Sequence, residues 1–175
     1  MRQPENAMRP RGRAEAWAQD GFTLIELLVT ILIIATLAAL AIPSFINQRD
    51  KARDVSAKAL VRTAQLAEET YYTDAQTYVA GAAPLGVIEA TLASVASLVA
   101  HAPSTNPFGA VAPGGAPPET AQNSFDVEVS SPTGVIFAVV RHSDGVVEHV
   151  CNVPSGTVAS GCHVSGGAAS GLGTW

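Results

Sequence analysis

The sequence predicts an α+β protein: one long N-terminal helix, apolar in its first half and amphipathic in its second, packed on a C-terminal antiparallel β-sheet of three to four strands. Three observations predict it. Residues 27 to 42 carry no charge. From Asn47 to Tyr72 apolar residues recur at three- and four-residue steps, the period of a helix face. From Ser124 the period changes to two, with Phe125, Val127 and Val129 alternating with Asp126, Glu128 and Ser130.

Residues 1–21 form a charged, non-helical leader. Its basic residues Arg9, Arg11 and Arg13 are followed by polar Gln19-Asp20-Gly21, and only then by the apolar run. A secretory signal has its cleavage site after the apolar core, and no small-x-small site is found there. Met8 is an alternative start that leaves this order unchanged. Residues 22–46 form the apolar half of the helix. At 1.5 Å per residue they span about 37 Å, enough to cross a hydrocarbon core of about 30 Å. The basic leader predicts a cytoplasmic N-terminus and a C-terminus outside. Pro43 lies inside the helical pattern, removes a backbone donor, and predicts a kink.

One carboxylate, Glu26, interrupts the apolar run. A charge in hydrocarbon costs about 2.5–3.5 kcal/mol on insertion scales, so it needs a partner. The α-ammonium released by cutting between Gly21 and Phe22 would be one.

Residues 47–78 are the amphipathic half and its end. Ala52, Val55, Ala59, Thr63, Leu66 or Ala67, and Tyr71 are the expected sheet-facing stripe. Arg49, Arg53, Lys58, Arg62 and Glu69 mark the opposite face, whose basic patch is expected to meet another subunit or solvent. Tyr71 and Tyr78 are expected to pack the core edge with wet hydroxyls. Residues 79–122 are a connecting region with a short helix over Val87–Val99, built on Ile88, Leu92, Val95 and Val99. Five prolines from Pro103 to Pro118 then break regular structure. Residues 123–162 hold the sheet: a strand from Ser124, a turn at Ser131–Gly134, a strand over Val135–Arg141, a turn at His142–Gly145, and a strand over Val146–Cys151. Residues 163–175 are a Gly/Ser-rich tail, expected to be flexible.

The chain has 175 residues and a formal net charge of −5. Five of the six basic residues beyond Gly21 lie between Arg49 and Arg62, and from Thr63 onward Arg141 stands against nine acidic residues. Such a distal part is a poor general binder of nucleic acid. The two cysteines, Cys151 and Cys162, are expected to form a disulfide if the C-terminus lies outside the cytoplasm. His101, His142, His149 and His163 are scattered without metal-ligand spacing and read as surface or loop histidines. Asp126 and Glu128, with Asp144 or Glu148, are the best acidic candidates for calcium, but no loop of alternating oxygen donors is present. No catalytic constellation, metal site or cofactor motif stands out.

Gly21-Phe22-Thr23-Leu24-Ile25-Glu26-Leu27-Leu28-Val29, at the head of a long apolar helix with Pro43, resembles the N-terminus of type IV prepilins and of the related type II secretion pseudopilins. The strong likeness covers Asp20 to Arg53, and the rest is similar in layout. The resemblance implies the type IV pilin fold and no enzyme activity. It implies a membrane aspartyl prepilin peptidase that cuts after Gly21 and methylates the amine of Phe22. It makes Glu26 the assembly residue, its carboxylate neutralising the α-ammonium of a neighbouring subunit. Implied partners are identical or related pilin subunits, the peptidase, the inner-membrane assembly machinery and the membrane. The implied location is the cytoplasmic membrane as a single-pass precursor, then an extracellular filament for adhesion, twitching motility or DNA uptake. The tyrosine-rich helix end and the cysteine pair, matching the family's disulfide-bounded C-terminal region, favour a pilin over a pseudopilin forming a periplasmic piston for export. A single-span membrane protein with a distal enzyme or receptor domain is a third reading.

Overall fold

The computed structural model describes residues 21–101, 120–157, 161–165 and 171–175. The leader arginines and the prolines from Pro103 to Pro118 lie outside the described residues. Internal contacts divide the chain into two units, Met1–Ile42 and Pro43–Trp175. The principal helix, α1, runs Leu24–Ala75 over 52 residues and belongs to both.

In the first unit, nearly every side chain from Leu24 to Ile42 is exposed. The hydroxyls in this stretch are satisfied within it. Thr30 donates to the Leu27 carbonyl at 2.8 Å and Thr36 to the Ile33 carbonyl at 2.9 Å. A helix that closes its own polar groups in this way suits an apolar surround. It is long and apolar enough to cross a membrane.

The second unit opens with Pro43 inside α1. The helix ends at Ala75, within the segment the sequence predicts. Gln76 adopts φ 55°, and its N–H donates to the Tyr72 carbonyl at 2.9 Å, an αL cap. Then follow α2 (Ala82–Ile88), a single 3₁₀ turn (Leu92–Ser94) and strand β1 (Leu98–His101). The expected helix over Val87–Val99 is therefore wrong. Its residues divide among three elements, because pairing of Leu98 and Ala100 with Val129 and Val127 outweighs the local helical spacing.

Strands β2 (Phe125–Ser130), β3 (Ile136–Arg141) and β4 (Val147–Val153) form the expected meander, with β4 running past Cys151. β5 (His163–Val164) and β6 (Gly171–Thr174) come from the tail. Among the described residues the sheet has six antiparallel strands in the order β1-β2-β3-β4-β6-β5, not three or four. The tail glycines read as flexible, yet a Cβ on Gly173 would collide with the His163 backbone, so glycine there permits close strand approach.

Ala57, Val61, Ala64 and Ala67 of α1 form one cluster with Val127, Val129, Phe137, Val139 and Cys151 of the sheet. The expected stripe meets the buried face only in part: Ala67 is buried and Tyr71 packs against the core, but Val55 is 64% and Leu66 67% exposed. The buried face holds two carboxylates, Asp54 and Glu68, which a purely apolar stripe passes over. Both have partners outside α1: Asp54 on the β2–β3 turn, and Glu68 at the Val79 N–H, 3.0 Å away.

The basic patch is likewise divided. The Lys58 ammonium lies 5.0 Å from the Phe137 ring centre and 5.4 Å from that of Trp175, and the Arg62 guanidinium lies 5.1 Å from the latter. Trp175 docks, its indole N–H shared between the Val150 carbonyl at 2.8 Å and the Ala138 carbonyl at 3.3 Å. Tyr78 is buried, not wet, and its hydroxyl donates to Glu69 at 3.3 Å.

Candidate processing and assembly site

The helix start is built from residues 21 to 26. Gly21, Phe22 and Thr23 precede α1 in irregular backbone and are exposed, Phe22 to 82%. A Cβ placed on Gly21 meets nothing within 4 Å. Among the described residues, space does not require glycine there. A steric requirement for a residue without a side chain must then come from whatever binds the Gly21–Phe22 bond.

Thr23 and Glu26 close a reciprocal capping box. The Glu26 N–H donates to Thr23 Oγ1 at 3.2 Å, and the Thr23 N–H donates to Glu26 Oε2 at 3.1 Å. The Thr23 hydroxyl also donates to Glu26 Oε2, at 2.9 Å. The Thr-x-x-Glu spacing is the sequence signature of this device, which satisfies donors that a helix start leaves open. The spacing was available in the sequence as a helix-start signal. It puts the Glu26 carboxylate at the positive end of the helix dipole, four residues beyond the Phe22 amine. Both bonds to the carboxylate use Oε2, and Oε1 takes no part in them.

The remaining expected site residues belong to the second unit. Cys151 and Cys162 are bonded, with Cα atoms 6.0 Å apart. The bond joins the β4 core to the segment before β5, and Lys58 of α1 donates to the Gly161 carbonyl beside it. Burial lowers the Lys58 ammonium from its ordinary pKa, with Arg62 adding to the effect and Asp54 opposing it. Pro43 sits in α1 as its sequence position requires, and its ring nitrogen offers no donor to the carbonyl of residue 39.

Several of the acidic and histidine candidates are engaged locally. His101 Nε2 lies 3.2 Å from Glu128 Oε1, and His142 Nε2 lies 3.6 Å from Glu148 Oε2. His142 is a loop histidine, in the turn between β3 and β4, but it is buried there, 1% exposed, and not on the surface. The Asp144 carboxylate accepts the Val146 N–H at 2.9 Å within the β3–β4 turn. Among the described residues no group of three or more His, Cys, Asp or Glu could hold a metal.

Comparison with known proteins bears on the same N-terminal stretch. The family model described as the prokaryotic N-terminal methylation motif matches residues 18–42. The chain is 43% identical over 65 residues to the type IV wide pilus major component PilA4 of Thermus thermophilus, a match over 37% of this chain and 50% of that protein. It is 38% identical over 56 residues to the type II secretion system core protein G of Pseudomonas aeruginosa, over 32% of this chain and 39% of that one. A fimbrial protein of Pseudomonas aeruginosa is 29% identical over 135 residues, 74% of this chain and 83% of its own. The chain thus spans about half or less of the length of the first two relatives.

Proposed function

We infer, from the premise that the chain is a type IV prepilin by its N-terminal methylation motif, that it is the structural subunit of a type IV pilus. The observation that carries the reading is the Gly21–Phe22 junction: an exposed peptide bond, with a glycine that space does not require, ahead of a capped apolar helix.

On this reading prepilin peptidase hydrolyses the Gly21–Phe22 bond, leaving a carboxylate on Gly21 and an amine on Phe22. Methylation of that amine keeps its positive charge. Residues 22–46 hold the precursor in the cytoplasmic membrane with the C-terminus outside. The inner-membrane assembly machinery then draws subunits into a filament whose apolar helices pack together. Glu26 neutralises the Phe22 ammonium of a neighbouring subunit. In a medium of low dielectric, two opposite charges attract strongly while either alone is costly. The capping box adds orientation: Thr23 holds one oxygen at the helix start and leaves the other for the incoming ammonium. The extracellular filament would serve adhesion, motility or DNA uptake.

The secretion-protein likeness supports a second reading, a pseudopilin in a short periplasmic piston. The Cys151–Cys162 bond favours the pilus. N-terminal mass spectrometry on sheared surface material and on the membrane pellet tests both. N-methyl-Phe22 in the sheared fraction is the expected result. N-methyl-Phe22 confined to the pellet supports the pseudopilin, and an intact leader in both fractions overturns prepilin processing.

A further inference from the structure

The second unit has unlike ends. Asp54 meets Ser131 in the β2–β3 turn, and Glu69 meets Arg141 at the far end of β3. Residues 49–62 of α1 therefore lie toward the β2–β3 turn, and the β3–β4 turn lies at the opposite end of the sheet. Along the six residues of β3 that separation is about 20 Å at about 3.3 Å per residue.

At the β2–β3 end is an open pocket of about 270 Å³. Ala57, Leu60, Val129 and Pro132 form its apolar walls, and Arg53 and Ser130 lie among its polar residues. This end is basic: Arg49, Lys51 and Arg53 stand against Asp50, which pairs with Arg53 at 3.2 Å, and the buried Asp54. Lys58 and Arg62, by contrast, are held over aromatic rings.

At the other end the β3–β4 turn presents Val146, 46% exposed, between Asp144 and the half-exposed Glu148. Asp74, at the close of α1, is exposed at the same end. One end thus offers an apolar hollow with cations, the other an apolar side chain flanked by carboxylates.

We infer that the pocket receives the β3–β4 turn of a second copy of this chain, with Val146 seated between Leu60 and Val129 and the acids beside it set against Arg53. Pocket and turn are different surfaces at opposite ends, so the contact is heterologous: it excludes a two-fold dimer and, where its rotation does not close a ring, generates the helical filament that the pilus reading requires. Charge complementarity orients the approach and disfavours the like-ended alternative. The inference rests on the pilus reading and adds a contact between the second units, distinct from the helix packing and the Glu26 charge pair.

Disulfide trapping in full-length protein tests it. Ser56→Cys lines the pocket and Val146→Cys sits on the turn. Within one chain the two positions lie at opposite ends of the sheet, too far apart for a disulfide, whose Cα atoms must come within about 7 Å. Mild oxidation of sheared filaments carrying both substitutions should give a ladder of dimers, trimers and higher species on non-reducing gels, with neither single variant giving more than background. A Ser97→Cys and Val146→Cys pair samples the same pocket if the first pair assembles poorly. Filaments that form from processed subunits but give no ladder with either pair overturn the contact and leave the pilus reading standing. Wild-type protein that is never N-methylated at Phe22 and forms no filament overturns both.

Discussion

Asp54 of α1 accepts a 2.6 Å hydrogen bond from the hydroxyl of Ser131, 77 residues further along the chain. The same oxygen, Oδ1, accepts one from Thr133 at 2.6 Å, and the two hydroxyls lie 3.0 Å apart. The carboxylate is 1% exposed and ties the helix to the β2–β3 turn. Hydrogen bonds to a buried charged acceptor contribute about 1.5–3 kcal/mol, and removing the acceptor strands its donors.

Asp54→Ala should therefore lower stability by about 2–3 kcal/mol, and Asp54→Asn, which keeps one carbonyl oxygen, by less. Urea unfolding of the full chain in detergent micelles measures both. Equal losses would show that the carbonyl geometry does not matter and that the negative charge alone does.

Glu68 gives a pH dependence whose sign differs from that of a paired surface carboxylate. Burial raises its pKa from 4.5 to about 7, against the Val79 N–H bond, which lowers it. The folded state thus holds the proton more tightly than the unfolded chain. Stability from this group is fullest below about pH 4.5 and declines as pH rises to about 7, beyond which the loss is complete. The total loss is on the order of 3–4 kcal/mol, since each tenfold difference in proton affinity between the folded and unfolded chain is worth about 1.4 kcal/mol. Glu68→Gln keeps an oxygen for Val79 and cannot ionise. It should remove the decline between about pH 5 and 7 and unfold at higher urea than wild type at about pH 8. A variant whose pH profile keeps the wild-type slope would show that another group carries it.

Gly21 and Glu26 should fail at different steps. Gly21→Leu leaves the fold untouched, since nothing lies within 4 Å of its Cβ, yet should block cleavage and leave the leader attached. Glu26→Ala should be cleaved and methylated normally but not enter filaments, because the Phe22 ammonium loses its counter-charge. Mass spectrometry of the pellet reads the first step and the yield of sheared protein reads the second. Glu26→Ala filaments at wild-type yield would remove the charge-pair account.

Reduction of the Cys151–Cys162 bond opens a short loop, with a separation of 11 residues. The chain-entropy treatment assigns about 3 kcal/mol to closing a loop of this order. The Cys151→Ser and Cys162→Ser double variant should lose stability of that size, with β5 and β6 exchanging amide hydrogen first because they lie beyond the bond. Unchanged protection in Gly171–Thr174 would mean that pairing with β4 and the docking of Trp175 suffice to hold them.

Much of the architecture was legible in the sequence because its signals are local. A charge-free run, a helical period and then a period of two specify a long helix and a meander without reference to partners. The Gly21–Glu26 motif was legible for the same reason, and even its capping box is written in the Thr23-x-x-Glu26 spacing.

What depends on partners far along the chain was not legible. The buried face of α1 carries Asp54 and Glu68, and only Ser131, Thr133 and Val79 make those carboxylates acceptable inside. A hydrophobic pattern discards such positions, selects Val55 and leaves Leu66 and Ala67 as alternatives; the structure exposes Val55 and Leu66 and buries Ala67. Strands β1, β5 and β6 have little apolar alternation of their own and exist through pairing: β1 with β2, β6 with β4, and β5 with β6. The sequence alone determined the apolar helix, the processing motif and the period of the central strands, because each is settled by neighbours within a few residues. Only the tertiary structure decided which helix face is inside, how many strands the sheet has and where Trp175 docks. Those outcomes depend on hydrogen bonds and ring contacts between residues tens of positions apart, and no local pattern encodes them.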